Sequence, residues 1–265
     1  MSPRSALTRL VAATLTLLLG ACTDIPTSGP VTEVTVSAEG RGVQIAPEPP
    51  QKGMSASRIV EGFLQAMADP TSDYEVARQY LSSSARGQWA PRRATVVYDG
   101  WVEAAGDALE LRGTTRGTVD AVGRFTVSRE SLTHDFGLLQ EEGEWRVSAP
   151  PDGVLVSSYI FARSYNSARS YFISGSGQAV VPEPLHLPAS EITPGRIVEA
   201  QLAGPGPFIS SGVRNAIPER TKLGAAGTVV DSSGVVTVAL EGVPQGLGEV
   251  ERRELGAQLL WSLSS

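Results

Sequence analysis

Cys22 is the one thiol in a chain of 265 residues, and what surrounds it bounds what it can do. Arg4 and Arg9 precede an apolar stretch from Leu10 to Leu19, which ends in Leu19-Gly20-Ala21-Cys22. A charged start, a short apolar centre and small residues before a cleavage point read as a secretory signal peptide over residues 1–21. The apolar centre is too short to span a bilayer, which takes about 20 apolar residues. The other residues with chemical potential are sparse. His134-Asp135 offers a base and an orienting carboxylate, but neighbours on a strand point to opposite faces, so an edge-strand surface position is the better reading. His186, between Leu185 and Leu187 and two before Pro188, reads as a strand residue facing solvent. Two histidines and no second cysteine fall short of the three or four ligands a zinc site usually takes. Gly175-Ser176-Gly177 and Gly204-Pro205-Gly206 have neither a P-loop lysine nor the G-x-G-x-x-G spacing, so both read as turns. Ser210-Ser211-Gly212 lacks the glycine flanks of a nucleophile elbow. Trp89 and Trp101 could line the mouth of a cavity and hold an apolar ligand; packing in the core or at its rim is the preferred reading. Arg92-Arg93 and Arg252-Arg253 read as solvated pairs. No catalytic residue, metal or cofactor is expected.

The ending Leu-Gly-Ala-Cys resembles the lipobox of bacterial lipoproteins; an ordinary signal peptide with an incidental cysteine is the alternative. The resemblance implies that the Cys22 thiol takes a diacylglycerol, that cleavage leaves Cys22 as the first residue, and that its amine is also acylated, for instance with palmitate. The protein would then sit at the cell membrane, lipid-anchored on the extracytoplasmic face. Each buried methylene contributes roughly 0.8 kcal/mol, so two or more chains anchor stably. With Cys22 modified, no thiol remains for a disulfide, and the domains must stand on packing. Without Arg4 and Arg9 the 22 basic residues fall to 20 against 28 acids, a net charge near -8. That balance argues against nucleic acid, which rewards clustered basic charge, and against a polybasic membrane patch.

These residues must be carried by a modest set of elements. Residues 22–53 hold Pro26, Pro30, Pro47, Pro49 and Pro50 among Gly, Ser and Thr, and read as an extended tether. Ser55 or Ser57 can cap a helix with Ile59, Val60, Phe63, Leu64 and Met67 on one stripe, stopped at Asp69-Pro70. A second helix from about Asp73 carries Tyr74, Ala77, Tyr80 and Leu81, and the chain then reaches Trp89. Strands follow at Thr95–Tyr98, Ala108–Leu111 and Thr118–Val127, with a hairpin of His134–Leu139 and Glu144–Val147 around Glu141-Glu142-Gly143. Helices first and a strand meander after predict an α+β domain, a curved antiparallel sheet over helices, spanning residues 54–152. After Pro150-Pro151-Asp152-Gly153, Val154–Phe161 reads as a connector. Residues 153–265 then hold strands Arg169–Ile173 and Ala179–Leu187 and a helix opened by Thr193-Pro194. Further strands near Thr228–Asp231 and Val235–Leu240 precede a last helix from about Glu249 with Leu255, Leu259, Leu260 and Leu263 on one face.

Two stretches carry a family resemblance. "SRIVEGFLQAMADPTSDYEVARQYLSSSARGQW", with strands and "EGEWRVSAPPDG" after it, is similar to the NTF2-like cone of actinobacterial lipoproteins of the LpqB family. "YFISGSGQAVVPEPLHLP", a helix ending near "AGP", and "AIPERTKL" leading to "VVTVAL" resemble a GerMN domain over about residues 169–265. That order behind a lipobox is the LpqB arrangement. In that family a further strand and a large β-propeller follow, whereas this sequence stops at Leu263-Ser264-Ser265, so a truncated second domain is expected. The resemblance implies a non-catalytic interaction module that docks on the outer domain of the sensor histidine kinase of the MtrAB two-component system. Two other readings stay open: a ligand-binding lipoprotein using the NTF2-like cavity for lipid or envelope fragments, marked by Trp89 and Trp101, and an envelope hydrolase built on His134.

Overall fold

The computed structural model describes residues 47–264. The signal over residues 1–21, Cys22 and the tether as far as residue 46 lie outside the described residues. The last tether residues are strapped to the first domain. The Tyr80 hydroxyl donates to the Glu48 carbonyl at 2.7 Å, and the Gly53 N–H donates to Glu144 Oε2 at 2.9 Å.

The first domain starts with α1 (Ala56–Ala66). Its apolar positions recur at helical spacing, and Ile59, Val60, Phe63 and Ala66 are all buried. Asp69-Pro70 ends it as expected, and two short helices follow, α2 (Glu75–Gln79) and α3 (Ser83–Arg86), the latter capped by Ser82 Oγ. A 3-10 turn (Pro91–Arg93) leads into β1 (Ala94–Ala105), which pairs along its whole length with β2 (Ala108–Asp120). These two strands are longer than the expected segments because they run on through glycines. Gly100 faces Gly113, and a Cβ on either would lie 2.3 Å or less from the carbonyl oxygen of Arg112 or of Asp99. Close backbone approach thus demands glycine where the sequence suggested a strand end.

The far edge of β2 is shared by β3 (Phe125–Val127) and β4 (Ser131–Asp135). The expected strand Thr118–Val127 is therefore two strands with a turn between. Likewise His134–Leu139 breaks at Phe136-Gly137 into β4 and β5 (Leu138–Glu141), and β5 pairs β6 (Glu144–Val147) across the two-residue turn Glu142-Gly143. Both turn residues have positive φ, the geometry that a tight hairpin needs. Val154–Phe161 is no connector. Its first part is β7 (Val154–Ser157), parallel to β1, with Val154, Leu155 and Val156 all buried. The rest is helix α4 (Ser158–Ser164), capped by Ser157. The first domain's core joins α1 and β7 with Tyr74, Leu81, Trp89, Tyr98, Leu111, Phe136 and Val147.

The second domain has β8 (Tyr165–Ser174) between β9 (Val180–Pro188) and the short β10 (Val213–Arg214). Two helices pack on β8: α5 (Pro194–Leu202), capped by Thr193 with Pro194 in its first turn, and α6 (Glu249–Leu263). A separate ribbon pairs β11 (Lys222–Val230) with β12 (Val236–Glu241). Of the leucine face expected of α6, Leu255, Leu259 and Leu263 are half-buried and Leu260 is exposed. Gln258 and Ser262 are its buried residues, while Leu260 and Trp261 are mostly exposed. Polar bonds seat the helix instead: Tyr171 N–H donates to Ser262 Oγ at 2.9 Å, Ala216 N–H to Gln258 Oε1 at 2.8 Å, and Gln258 Nε2 to Asn215 Oδ1 at 2.7 Å. The whole is an α+β arrangement, and no helix among the described residues is long and apolar enough to cross a membrane.

Candidate functional site at the domain seam

The most constructed place in the molecule is the turn between β2 and β3, Ala121-Val122-Gly123-Arg124. Asp120 shapes it, its Oδ1 accepting the N–H groups of Val122 at 3.0 Å and Arg124 at 2.8 Å. Each residue of the turn then meets the second domain. The Ala121 carbonyl accepts from Arg196 Nη2 at 3.0 Å. Val122 packs against the cluster of Ala168, Leu185 and Ala200. The Gly123 carbonyl accepts the His186 N–H at 2.6 Å. Gly123 lies at φ +101 with a Cβ position 2.9 Å from Leu187, so any side chain there would be strained and crowded.

Arg124 goes deepest. Its Nε donates to Glu183 Oε2 at 2.9 Å, and Nη2 donates to the carbonyls of Ala200 and Gly204 at the C-terminus of α5. The side chains are 15% and 7% exposed, so this is a nearly buried pair rather than a surface one. Glu183 Oε1 is satisfied by the Gly206 N–H at 2.8 Å. A guanidinium on the last carbonyls of a helix also meets the negative end of its dipole. One residue of the first domain thus completes both an ion pair and a helix cap in the second.

A second charged contact lies along the same seam. Ser72, Asp73 and Tyr74 all have left-handed φ (50, 58 and 61), a conformation that costs roughly 1–2 kcal/mol per ordinary residue. The strained run places Asp73 between two guanidinia, Arg78 at 2.8 Å and Arg92 at 3.1 Å. Burial alone would raise the Asp73 carboxyl, but the hydrogen bonds from both arginines outweigh it and hold it below the usual range. Arg92 reaches on to Glu191 at 2.5 Å and lies over the Tyr74 ring at 5.8 Å. Arg92 is therefore a bridge and not a free solvated charge, whereas Arg93 makes an exposed pair with Asp152. Between these groups is a cleft of about 30 Å³, room for a water or two, lined by Tyr74, Arg92, Asp120, Tyr165, His186 and Glu191 among others. Burial pushes the Tyr74 and Tyr165 phenols up, so both stay protonated.

His186 does not face solvent as expected. Its ring lies 5.6 Å from Phe125 and 5.9 Å from Phe161, both first-domain aromatics, and its Nδ1 is buried without a protein partner. His134 and Asp135 do not form a pair. His134 Nε2 contacts the Ala149 carbonyl at 3.0 Å, and Asp135 Oδ1 accepts the Gly137 N–H at 2.9 Å. Nor do Trp89 and Trp101 line a cavity mouth. Trp89 is core, against Phe63 and Tyr74, with its indole N–H shared by the carbonyls of Pro151 and Gly153 at 3.1 and 2.9 Å. Trp101 is 64% exposed on β1 and donates to Glu103 at 3.0 Å. The larger hollow of about 440 Å³ is an open surface concavity around Asp73, Arg78 and Arg86, whose guanidinia are engaged with neighbouring carbonyls or Asp73. The glycine motifs are turns: Gly175-Ser176-Gly177 joins β8 to β9, and Gly204 follows α5 at φ +79.

The seam left one trace in the sequence, the Asp120-x-x-Gly123 spacing of a side-chain-supported turn. Alternation of Phe125 and Val127 with polar neighbours hid it by extending the strand backwards.

Comparison with known proteins accounts for both domains. Residues 49–162 match the family described as Lipoprotein LpqB, N-terminal domain, which places β7 and α4 in the first domain, and residues 169–265 match the family described as Sporulation and spore germination. A Lipoprotein LpqB of Cutibacterium acnes is 35% identical over 262 residues, covering 97% of this chain and 44% of the relative. Relatives of the same name in Thermobifida fusca and Streptomyces avermitilis are 29% and 28% identical, over 95% and 93% of this chain and 43% and 44% of their own lengths. The chain spans a little under half the length of these curated relatives. No solved structure matches it. The chain belongs to the LpqB family of lipoproteins and carries that family's N-terminal domain followed by a sporulation and spore germination domain.

Proposed function

We propose that this chain is an extracytoplasmic lipoprotein, anchored by acylated Cys22, that acts as a non-catalytic docking module. The observation that supports this reading is the seam. Arg124 and the turn around it fasten two domains into one body, and the cleft left between them has room for only a water or two. Such a body offers its outer surface, with a fixed spacing between two domain faces. Within the family resemblance, the partner is the outer domain of the sensor histidine kinase of the MtrAB two-component system, whose signalling the lipoprotein would modulate.

Crosslinking mass spectrometry on native membranes tests this. The expected result is a repeated set of crosslinks from both domains to the extracytoplasmic part of one sensor kinase, with lengths that a single rigid body satisfies. Crosslinks confined to wall components or transport proteins would remove the kinase reading. A glycan or lipid that protects a cavity in the first domain would favour ligand binding instead.

A further inference from the structure

His186 belongs to the second domain, and its ring packs against a stacked pair of first-domain aromatics. Phe125 of β3 and Phe161 of α4 stack on each other at 5.6 Å and pack against its ring at 5.6 and 5.9 Å, and Nδ1 is buried with no protein group to bond. Its own backbone N–H makes the shortest main-chain bond of the seam, to Gly123. The charged and titratable groups facing the same cleft are Tyr74, Arg92 and Asp120 from the first domain and Tyr165, Glu191 and Arg196 beyond it, with Ser167 opposite on β8. Glu191 is committed to Arg92 and Asp120 to its own turn, while Arg92 and Arg196 are both cations. None of these groups is placed to accept a proton from Nδ1.

We propose that His186 makes the seam a proton-sensitive latch, closed while the imidazole is neutral and loosened when it is charged. A charged ring in this position exchanges bulk hydration for at most the water or two the cleft can hold and gains no protein acceptor. Partial burial accordingly holds the half-buried imidazole below its ordinary value of 6.5. Once the seam opens, the ring returns to that ordinary value, so the open form binds the proton more tightly. Closure is therefore fully favoured above about pH 6.5 and is lost as pH falls from there through the lower value of the buried ring, about tenfold in the opening equilibrium per unit of depression. Attraction of the cation to the phenylalanine faces would act the other way, and the experiment separates the two.

Hydrogen exchange of the intact chain, followed by mass spectrometry at pH 7.5 and 5.0 and corrected for chemical exchange, reads the latch directly. Peptides covering residues 121–125 and 184–187 report it, the His186 amide above all. The wild type and His134→Asn should exchange several-fold faster there at pH 5.0, with α1 unchanged. His186→Phe, which keeps a ring but cannot titrate, should show no such difference; His186→Gln serves the same purpose if the phenylalanine does not fold. Equal protection at both pH values, greater protection at pH 5.0, or a loss that persists without His186 would each overturn the proposal.

Discussion

At the scale of single residues, Arg124 carries more of this molecule than its place in a short turn suggests. Its partner Glu183 is 7% exposed, so removing the guanidinium leaves a buried carboxylate facing only the Gly206 N–H, and leaves carbonyls of Ala200 and Gly204 uncapped. Breaking a buried pair from one side costs on the order of 3–5 kcal/mol, because the remaining charge is unpaired. Arg124→Ala should therefore lower unfolding stability by about that amount in urea melts, and adding Glu183→Gln should recover a measurable part. Recovery distinguishes a stranded charge from lost packing. Exposed pairs such as Arg93–Asp152, by contrast, should be near neutral on substitution. Little of this was legible beforehand. A lone arginine after Gly123 has no periodic signature, and its value comes from residues that are distant in sequence.

At the scale of elements, the first domain was readable and the last helix was not. The α1 stripe fixed which face is buried because Ile59, Val60, Phe63 and Ala66 lie on one side, with Leu64 half-buried beside them. The β5–β6 hairpin was equally legible from Glu142-Gly143. In α6 the leucines marked only the margin of the seated face, because the interior it meets presents backbone groups of Tyr171 and Ala216 that need polar partners. A buried donor left unpaired costs about 1–3 kcal/mol, more than one leucine gains at a rim position. Gln258→Ala removes the acceptor for Ala216 N–H and the donor for Asn215 Oδ1 together. It should destabilise by roughly 2–4 kcal/mol in denaturant melts. Leu260→Ser, on the same helix but 65% exposed, should stay within about 0.5 kcal/mol of the wild type. The opposite order would mean that the polar bonds of Gln258 do not seat the helix.

At the scale of the whole molecule, the seam decides whether two domains behave as one. A Pro-Pro-Asp-Gly stretch between strands permits a hinge without requiring one, and residues 150–153 lead into β7, which pairs with β1 inside the first sheet. The real passage between domains is α4 running straight into β8, with Arg124, the Gly123–His186 bond and the Arg92–Glu191 pair fastening it from the side. Coupling of that kind makes unfolding cooperative, because neither domain can open without exposing the other's partner groups. Far-ultraviolet circular dichroism and hydrogen exchange of peptides from each domain should then report one coincident urea transition. Raising the salt from 0.05 to 0.5 M shortens the screening length and weakens half-exposed pairs such as Arg92–Glu191, yet leaves the nearly buried Arg124 pair largely intact. The single transition should accordingly survive high salt in the wild type and separate into two in Arg124→Ala. Two transitions in the wild type at low salt would mean independent domains, and a partner could then no longer read a fixed spacing between their faces.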